Sequence, residues 1–138
     1  MRIERITEIE PILGCMPFEQ SIRNKGRDKN SISNMLLAVK ENISSPTFGF
    51  WIAYDGKKII GYLSAVASLV KPLKRLIVWR IYAPKLQVQK EFNNILIQFG
   101  REHRIKPGIA RVEVFKHDKV FKRKGWEKIS TIMEKRLY

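Results

Sequence analysis

The hydrophobic pattern of the sequence changes its period at Pro84, and this change constrains the fold more than any other feature. Before Pro84, apolar and aromatic residues form runs of strand length at 48–54, 59–67 and 76–82. After it, Phe92, Ile95, Leu96 and Phe99 recur at helical spacing on one face, which His103 shares. The sequence therefore predicts three strands followed by a helix that begins near residues 87–90.

Further segments complete the predicted sheet. Asp55-Gly56 separates the first two strands and favours the positive φ angles of a tight hairpin turn. Residues 111–115 and 129–137 alternate as strands do, and another strand fits residues 2–6. Strands on both sides of a central helix require a mixed sheet with helices packed on it. We therefore predict an α/β (α+β) fold.

Helices are also predicted outside the central one. Thr7 and Glu10 have the spacing of a capping box that opens a short helix, which Gly14 would end. Ser31 is a suitable N-cap for a second helix with one apolar stripe. Its members are Ile32, Met35, Leu36, Val39 and Ile43. Residues 119–124 predict a short helix near the C-terminus.

Length and composition narrow the class of protein. At 138 residues the chain has the size of one domain, and no repeat or linker divides residues 1–138. The apolar runs are too short for a membrane span, and the N-terminus has no signal-peptide core. A single cysteine, Cys15, excludes an intrachain disulfide and cannot build a zinc site by itself. We expect a cytoplasmic protein without a metal site or a membrane partner.

The positive charge is concentrated in one half of the sequence. Of the net charge of +14, residues 1–70 contribute only +2, from nine Lys/Arg and seven Asp/Glu. Residues 71–138 contribute +12, from eighteen Lys/Arg and six Asp/Glu. Such a field favours a polyanionic partner, either a nucleic acid or a phosphate-rich cofactor, although a solvated basic surface is also consistent with it.

Three passages resemble the GCN5-related N-acetyltransferases. Residues 50–62 resemble the second and third strands of that family, with the Asp-Gly turn and the following Ile-Ile-Gly-Tyr. Residues 76–84 resemble its fourth strand and the proline after it, and residues 121–127 resemble its C-terminal signature. The resemblance covers residues 48–138 and implies one mixed central β-sheet flanked by helices.

The resemblance also implies an activity. Members of the family are acetyl-CoA-dependent N-acyltransferases, in which an amine attacks the thioester directly and no metal takes part. The acceptor would be an amine of a small molecule or of a protein. The fourth strand would hold the thioester arm, and the start of the central helix would hold the phosphates. The residues so assigned are Ile81, Tyr82, Ala83, Lys85, Gln87, Gln89 and Lys90.

The chain departs from the family's motifs at several positions. Lys90 and Phe92 occupy the two positions where the phosphate loop has small residues, and a Cβ there is expected to obstruct the phosphates. The side chains of Lys85 and Lys90 would partly compensate by contacting the phosphates themselves. Phe121 stands where the family has the tyrosine that protonates the departing thiolate.

Two other residues are candidates for the chemistry. Glu113, on the fifth strand, would act as a general base through water, and the alternative is a solvent-facing strand residue. Tyr82, at the end of the fourth strand, would replace the missing acid, and the alternative is aromatic packing.

A second hypothesis keeps the fold without the chemistry. The absent glycines, Phe121 and the basic C-terminal half also suit a non-catalytic domain that binds nucleic acid or a protein partner. However, no helix-turn-helix, zinc-finger or RNP pattern supports specific nucleic-acid recognition. Binding of acetyl-CoA distinguishes the two hypotheses.

Overall fold

The computed structural model describes residues 1–24, 32–69, 74–105, 109–113, 127–129 and 132–136. These residues form a mixed arrangement of strands and helices. In chain order the elements are β1 (Arg2–Arg5), α1 (Glu10–Leu13), α2 (Met16–Asn24), α3 (Ile32–Asn42), β2 (Phe48–Asp55), β3 (Lys58–Ser68), β4 (Arg75–Tyr82), α4 (Leu86–Glu102), β5 (Ile109–Glu113), β6 (Glu127–Ile129) and β7 (Ile132–Arg136).

The described strands form one seven-stranded sheet in the order β1-β2-β3-β4-β5-β7-β6. All neighbouring pairs are antiparallel except β4 and β5, which are parallel. A parallel pair needs a crossover connection, and α4 lies in the one between these two strands. The predicted mixed sheet and the central helix after Pro84 are therefore confirmed.

The β2–β3 hairpin closes through a two-residue loop. Asp55 pairs with Lys58, so the loop residues are Gly56 and Lys57. Gly56 has a φ of +62°, whereas Lys57 does not have a positive φ. A glycine at the first loop position is typical of type II′ hairpins. The hairpin predicted at Asp55-Gly56 is confirmed, with its loop one residue later.

Each face of the sheet carries its own hydrophobic core. On one face, α4 places Val88, Phe92, Leu96 and Phe99 against the sheet, and all four are buried. On the other face, α1 and α3 contribute buried side chains that pack with the opposite side of β2. Strand β2 is therefore buried on both sides, since its successive residues alternate between the two cores.

The N-terminal helices differ from the prediction. Helix α1 begins at Glu10 with Ile9 as its N-cap, and no side chain caps it. The capping box of Thr7 and Glu10 is therefore wrong, because such a box needs its glutamate at the third helical position rather than the first. Helix α2 was not predicted. The predicted N-cap Ser31 lies outside the described residues.

The C-terminal strands also differ from the prediction. The strand expected at 111–115 is described at 109–113, as β5. The single strand expected at 129–137 is two short strands, β6 and β7, which pair with each other. The predicted helix at 119–124 lies outside the described residues.

Helix α4 ends without a glycine. The Ile105 N–H donates to the Gly100 carbonyl at 3.0 Å, and the Arg104 N–H donates to the Arg101 carbonyl at 3.0 Å. These two bonds form a Schellman motif, and Arg104 takes the left-handed position with a φ of 57°. Each ring nitrogen of His103 lies near a backbone carbonyl oxygen, that of Phe99 at 2.9 Å and that of Pro46 at 2.8 Å. His103 therefore joins the end of α4 to the chain before β2.

We expect Gly61→Ala to destabilise the protein, because Gly61 lies close to the Tyr82 backbone and to Val88 of α4. A Cβ at Gly61 would lie 2.7 Å from the Tyr82 carbonyl oxygen and 2.8 Å from Cγ1 of Val88. The Tyr82 backbone cannot move away from the new methyl group without strain, so the free energy of unfolding should fall by about 1–3 kcal/mol. Denaturant unfolding measures this change, with Ser68→Ala on the same strand as the control. An unchanged free energy of unfolding for Gly61→Ala would contradict this account of the packing.

Candidate active site

The site begins where β4 separates from β5. The parallel pairing extends only from Leu76 with Ala110 to Val78 with Val112. Strand β4 continues to Tyr82 and stays paired with β3 on its other side. Within the described residues, the edge of β4 that faces β5 is therefore unpaired from Trp79 to Tyr82. Unpaired backbone groups require partners, and a bound ligand can supply them.

A β-bulge lies at the same position. Ser64 of β3 pairs with Arg80, and Ala65 pairs with Val78, so Trp79 is an extra residue on β4. A bulge reverses the alternation of side chains beyond it. Trp79 and Arg80 consequently face the same side of the sheet, the side covered by α2.

The N-terminus of α4 follows directly after this edge. Lys85 is its N-cap, with extended backbone and no side-chain capping bond. The first N–H groups of a helix lack intrahelical partners, and the helix dipole favours an anion there. Lys85 and Lys90 are exposed and add positive charge. On the same turn, the Gln89 side-chain amide donates to the Ala83 carbonyl at 2.7 Å, which ties the helix start to the end of β4.

The structure separates the residues that were assigned to the cofactor into four groups. Ile81 and Ala83 pack toward the α4 side of the sheet, whereas Tyr82 packs on the opposite side. Lys85, Gln89 and Lys90 lie at the start of α4. Gln87 lies on the flank of α4 that faces β1, together with Glu91. Gln87 is thus remote from β5, since β2, β3 and β4 lie between β1 and β5.

The two candidates for the chemistry have different surroundings. The Tyr82 ring packs against Phe18 of α2, with ring centres 4.7 Å apart, and stacks on Tyr62 at 5.6 Å. The backbone of Glu113 lies one residue past Val112, where β5 leaves β4, and pairs with Ile132. Phe121 lies outside the described residues.

Phe92 is not a loop residue in the structure. Helix α4 begins at Leu86, so positions 90 and 92 both lie inside it. Phe92 is fully buried in the core beneath the helix. Its side chain therefore does not obstruct an anion at the helix N-terminus, and Lys90 is the departure from the family motif that faces solvent.

A buried polar cluster lies next to the bulge, and the sequence did not predict it. Glu19 of α2 is only 1% exposed. The Tyr62 hydroxyl donates to its Oε1 at 2.7 Å, and Nε of Arg80 lies 4.0 Å from its Oε2. Burial, and then the nearby Glu19 carboxylate, raise the pKa of Tyr62. Tyr62 therefore remains a neutral donor to the carboxylate.

Cys15 belongs to the same environment. It is fully buried, and burial together with the charge of Glu19 raises the pKa of its thiol to about 12. One sequence signal pointed to the cluster: Arg80 interrupts the apolar run of β4, and a charged residue in a buried strand requires a partner. No sequence pattern indicated Glu19 as the partner, because α2 was not predicted.

The comparisons with known proteins rest on structure alone. No family model matches the sequence, and no curated protein matches it. Among solved structures, a predicted acetyltransferase with acetyl-CoA from Clostridium acetobutylicum is 12% identical, with a TM-score of 0.74 over 94% of this chain and 91% of the other. A GNAT-family acetyltransferase from Staphylococcus aureus Mu50 is 15% identical, with a TM-score of 0.73 over 99% and 100% of the two chains.

A third solved structure has a described activity. It is an aminoglycoside acetyltransferase from an uncultured soil metagenomic sample, in complex with sisomicin. It is 15% identical to this chain, with a TM-score of 0.65 over 89% of this chain and 85% of the other. At such identities the likeness concerns the fold. The chain has the fold of the GCN5-related N-acetyltransferases, as the resemblance implied.

Neither a membrane-spanning helix nor a metal-binding cluster occurs among the described residues. No helix among them is long and apolar enough to cross a membrane. No group of three or more His, Cys, Asp or Glu side chains in that part of the chain is arranged to hold a metal ion.

We expect stability to fall at alkaline pH partly through Cys15. The pKa of its thiol is about 12 in the folded protein, against 9.0 ordinarily, so the unfolded chain releases this proton first. The stabilisation is complete below pH 9 and is lost as the pH rises toward 12. Between roughly pH 8 and 11, the melting temperature should therefore fall less steeply for Cys15→Ala than for the parent. Thermal melts measure this slope. Equal slopes for the two proteins would contradict the buried neutral thiol.

Proposed function

We propose that the chain is an acetyl-CoA-dependent N-acyltransferase whose acceptor is an amine, preferably of a small molecule. The observation that carries the proposal is the separation of β4 from β5 after Val78, directly before an uncapped helix N-terminus. An unpaired strand edge suits the amide groups of a pantetheine arm, and the helix start suits the phosphates. A solved structure of the same fold contains acetyl-CoA, which supports the choice of cofactor.

The residues fit this cofactor by charge rather than by a glycine loop. Lys85 and Lys90 are the exposed cations at the start of α4, and Gln89 holds the Ala83 carbonyl nearby. The backbone of residues 81–83 would accept the thioester arm along the β4 edge. Gln87 faces the opposite flank of the helix, so only its backbone N–H would contribute.

The proposed reaction is direct acyl transfer. The amine nitrogen attacks the thioester carbonyl, the carbon–sulfur bond breaks, and the acyl group remains on nitrogen. Glu113 would accept the amine proton through water, and Tyr82 would donate a proton to the departing thiolate. Tyr82 and Trp79 lie on the α2 side of the sheet, so we place the acceptor there, opposite the α4 side.

The alternative of a non-catalytic domain is not favoured by the comparisons. The three solved structures named above are all described as acetyltransferases. A small-molecule acceptor is the class represented among them, by the aminoglycoside enzyme. The identity of the acceptor for this chain is left to a screen of amines.

We expect acetyl-CoA to bind weakly and with a clear dependence on salt. Side-chain cations at the surface would supply much of the phosphate contact, and salt screens exposed charges over roughly 10 Å at 0.1 M. Isothermal titration at low and physiological ionic strength measures the affinity. Tight binding that is insensitive to salt would contradict this account, and absence of binding at both ionic strengths would refute the proposed function.

Separate variants test the two lysines for cofactor binding and the two catalytic candidates for turnover. Lys85→Gln combined with Lys90→Gln should weaken acetyl-CoA binding at least about tenfold, whereas Lys40→Gln, at an exposed position of α3, should not. Tyr82→Phe keeps the aromatic packing, and Glu113→Gln keeps the size of the side chain. Both variants should bind acetyl-CoA normally, but their rate of CoA release during turnover should fall by roughly 100-fold or more. Unchanged turnover in either variant would remove that residue from the mechanism.

A further inference from the structure

A groove of about 690 Å³ lies on the flank of α4 that faces β1. One wall is a stripe of α4, formed by Gln87, Glu91 and Ile95, and the other is the face of β1 that carries Ile3 and Arg5. Its volume falls within the roughly 300–1,000 Å³ of small-molecule sites. Strands β2, β3 and β4 separate β1 from β5, so this groove is distinct from the proposed active site.

Arg5 is held in place at one end of the groove. One of its terminal amino groups, Nη2, donates to the Phe48 carbonyl at 3.0 Å. Its guanidinium also lies over the rings of Trp51 and Phe99, each at 5.5 Å. These contacts fix the cation while the residue as a whole stays exposed. A pre-organised guanidinium suits a carboxylate, which it can bind through two parallel hydrogen bonds.

Glu91 supplies the opposite charge toward the other end. Strand β1 and helix α4 both run opposite to β4, so the two walls have the same direction. The Arg5 guanidinium lies over the Phe99 ring. Glu91 precedes Phe99 by eight residues, so the two charged residues are separated by roughly 12 Å along the helix axis. Glu91 is exposed, and among the described residues no ion pair joins it to Arg5. The two charges therefore do not neutralise each other.

Apolar side chains lie between the charges. Ile3 and Ile95 are partly buried against the core, and Trp51, which pairs with Arg5, also lines the groove. Arg5, the apolar side chains and Glu91 thus follow one another along the groove, which Met1 also lines. This pattern complements a zwitterion with an apolar body and disfavours a polyphosphate, which Glu91 would repel.

We propose that the groove binds a short apolar peptide of two or three residues. Its carboxylate pairs with Arg5, its amino group pairs with Glu91, and the Gln87 amide contacts a peptide group. Two or three extended residues span roughly 7–10 Å, which matches the spacing once the side chains of Arg5 and Glu91 reach inward. The site does not depend on the proposed acyltransferase activity.

Isothermal titration with Leu-Leu and Leu-Leu-Leu tests the site on the intact chain. N-acetylated and C-terminally amidated forms of the same peptides each lack one charge and should bind roughly tenfold or more weakly. Glu91→Gln should abolish the preference for a free amino group, and Arg5→Gln should abolish the preference for a free carboxylate. Arg2→Gln on the same strand and Glu102→Gln on the same helix are the controls, and should leave both preferences intact.

Several results would overturn the proposal. One is the absence of peptide binding at millimolar concentration, and another is equal binding of free and capped peptides. Displacement of the peptide by acetyl-CoA would show that the groove belongs to the cofactor site instead. Because Arg5 also contacts the core, its variant is compared only after a thermal melt confirms folding. Glu91 is exposed, so Glu91→Gln tests the proposal even if Arg5→Gln does not fold.

Discussion

The β-bulge at Trp79 is the feature on which the proposed site depends. A regular strand would alternate its side chains and continue its ladder with β5. The extra residue instead turns Trp79 and Arg80 to one side, and the pairing with β5 ends at Val78, one residue earlier. One local irregularity therefore coincides with an open strand edge and a charged side chain directed at α2.

The charge directed at α2 has energetic consequences. Burial of an arginine and a glutamate is costly unless they are paired and hydrogen-bonded, and removing one partner typically costs about 3–5 kcal/mol. Glu19 accepts a hydrogen bond from the Tyr62 hydroxyl, and the Arg80 guanidinium lies close to its other oxygen. This cluster links α2 to β3 and β4 beside the bulge, so it fixes the wall on which we place the acceptor. Ser64 of β3 pairs with Arg80 across the strands. Its hydroxyl is fully buried and makes no hydrogen bond in the described part of the chain.

Much of the fold was predictable because it follows from local patterns. The hairpin at Asp55-Gly56, the strand up to Tyr82 and the helix after Pro84 each follow from the period of apolar residues and from one turn or breaker. The errors occurred where that signal is weak. Helix α2 is short and mostly polar, and β6 and β7 are too short to be distinguished from one longer strand.

The sequence by itself determined the order of the strands and helices other than α2, β6 and β7, the mixed sheet and the concentration of positive charge, since these depend on residue type and spacing. It also assigned Lys85, Lys90 and the end of β4 to one region, because they are adjacent in the chain. Only the tertiary structure decided which faces they occupy. Helical rotation turns Gln87 toward β1 and Phe92 into the core, and the bulge turns Arg80 onto Glu19, which lies 61 residues earlier in the chain. Such contacts join residues distant in sequence, so no local pattern specifies them.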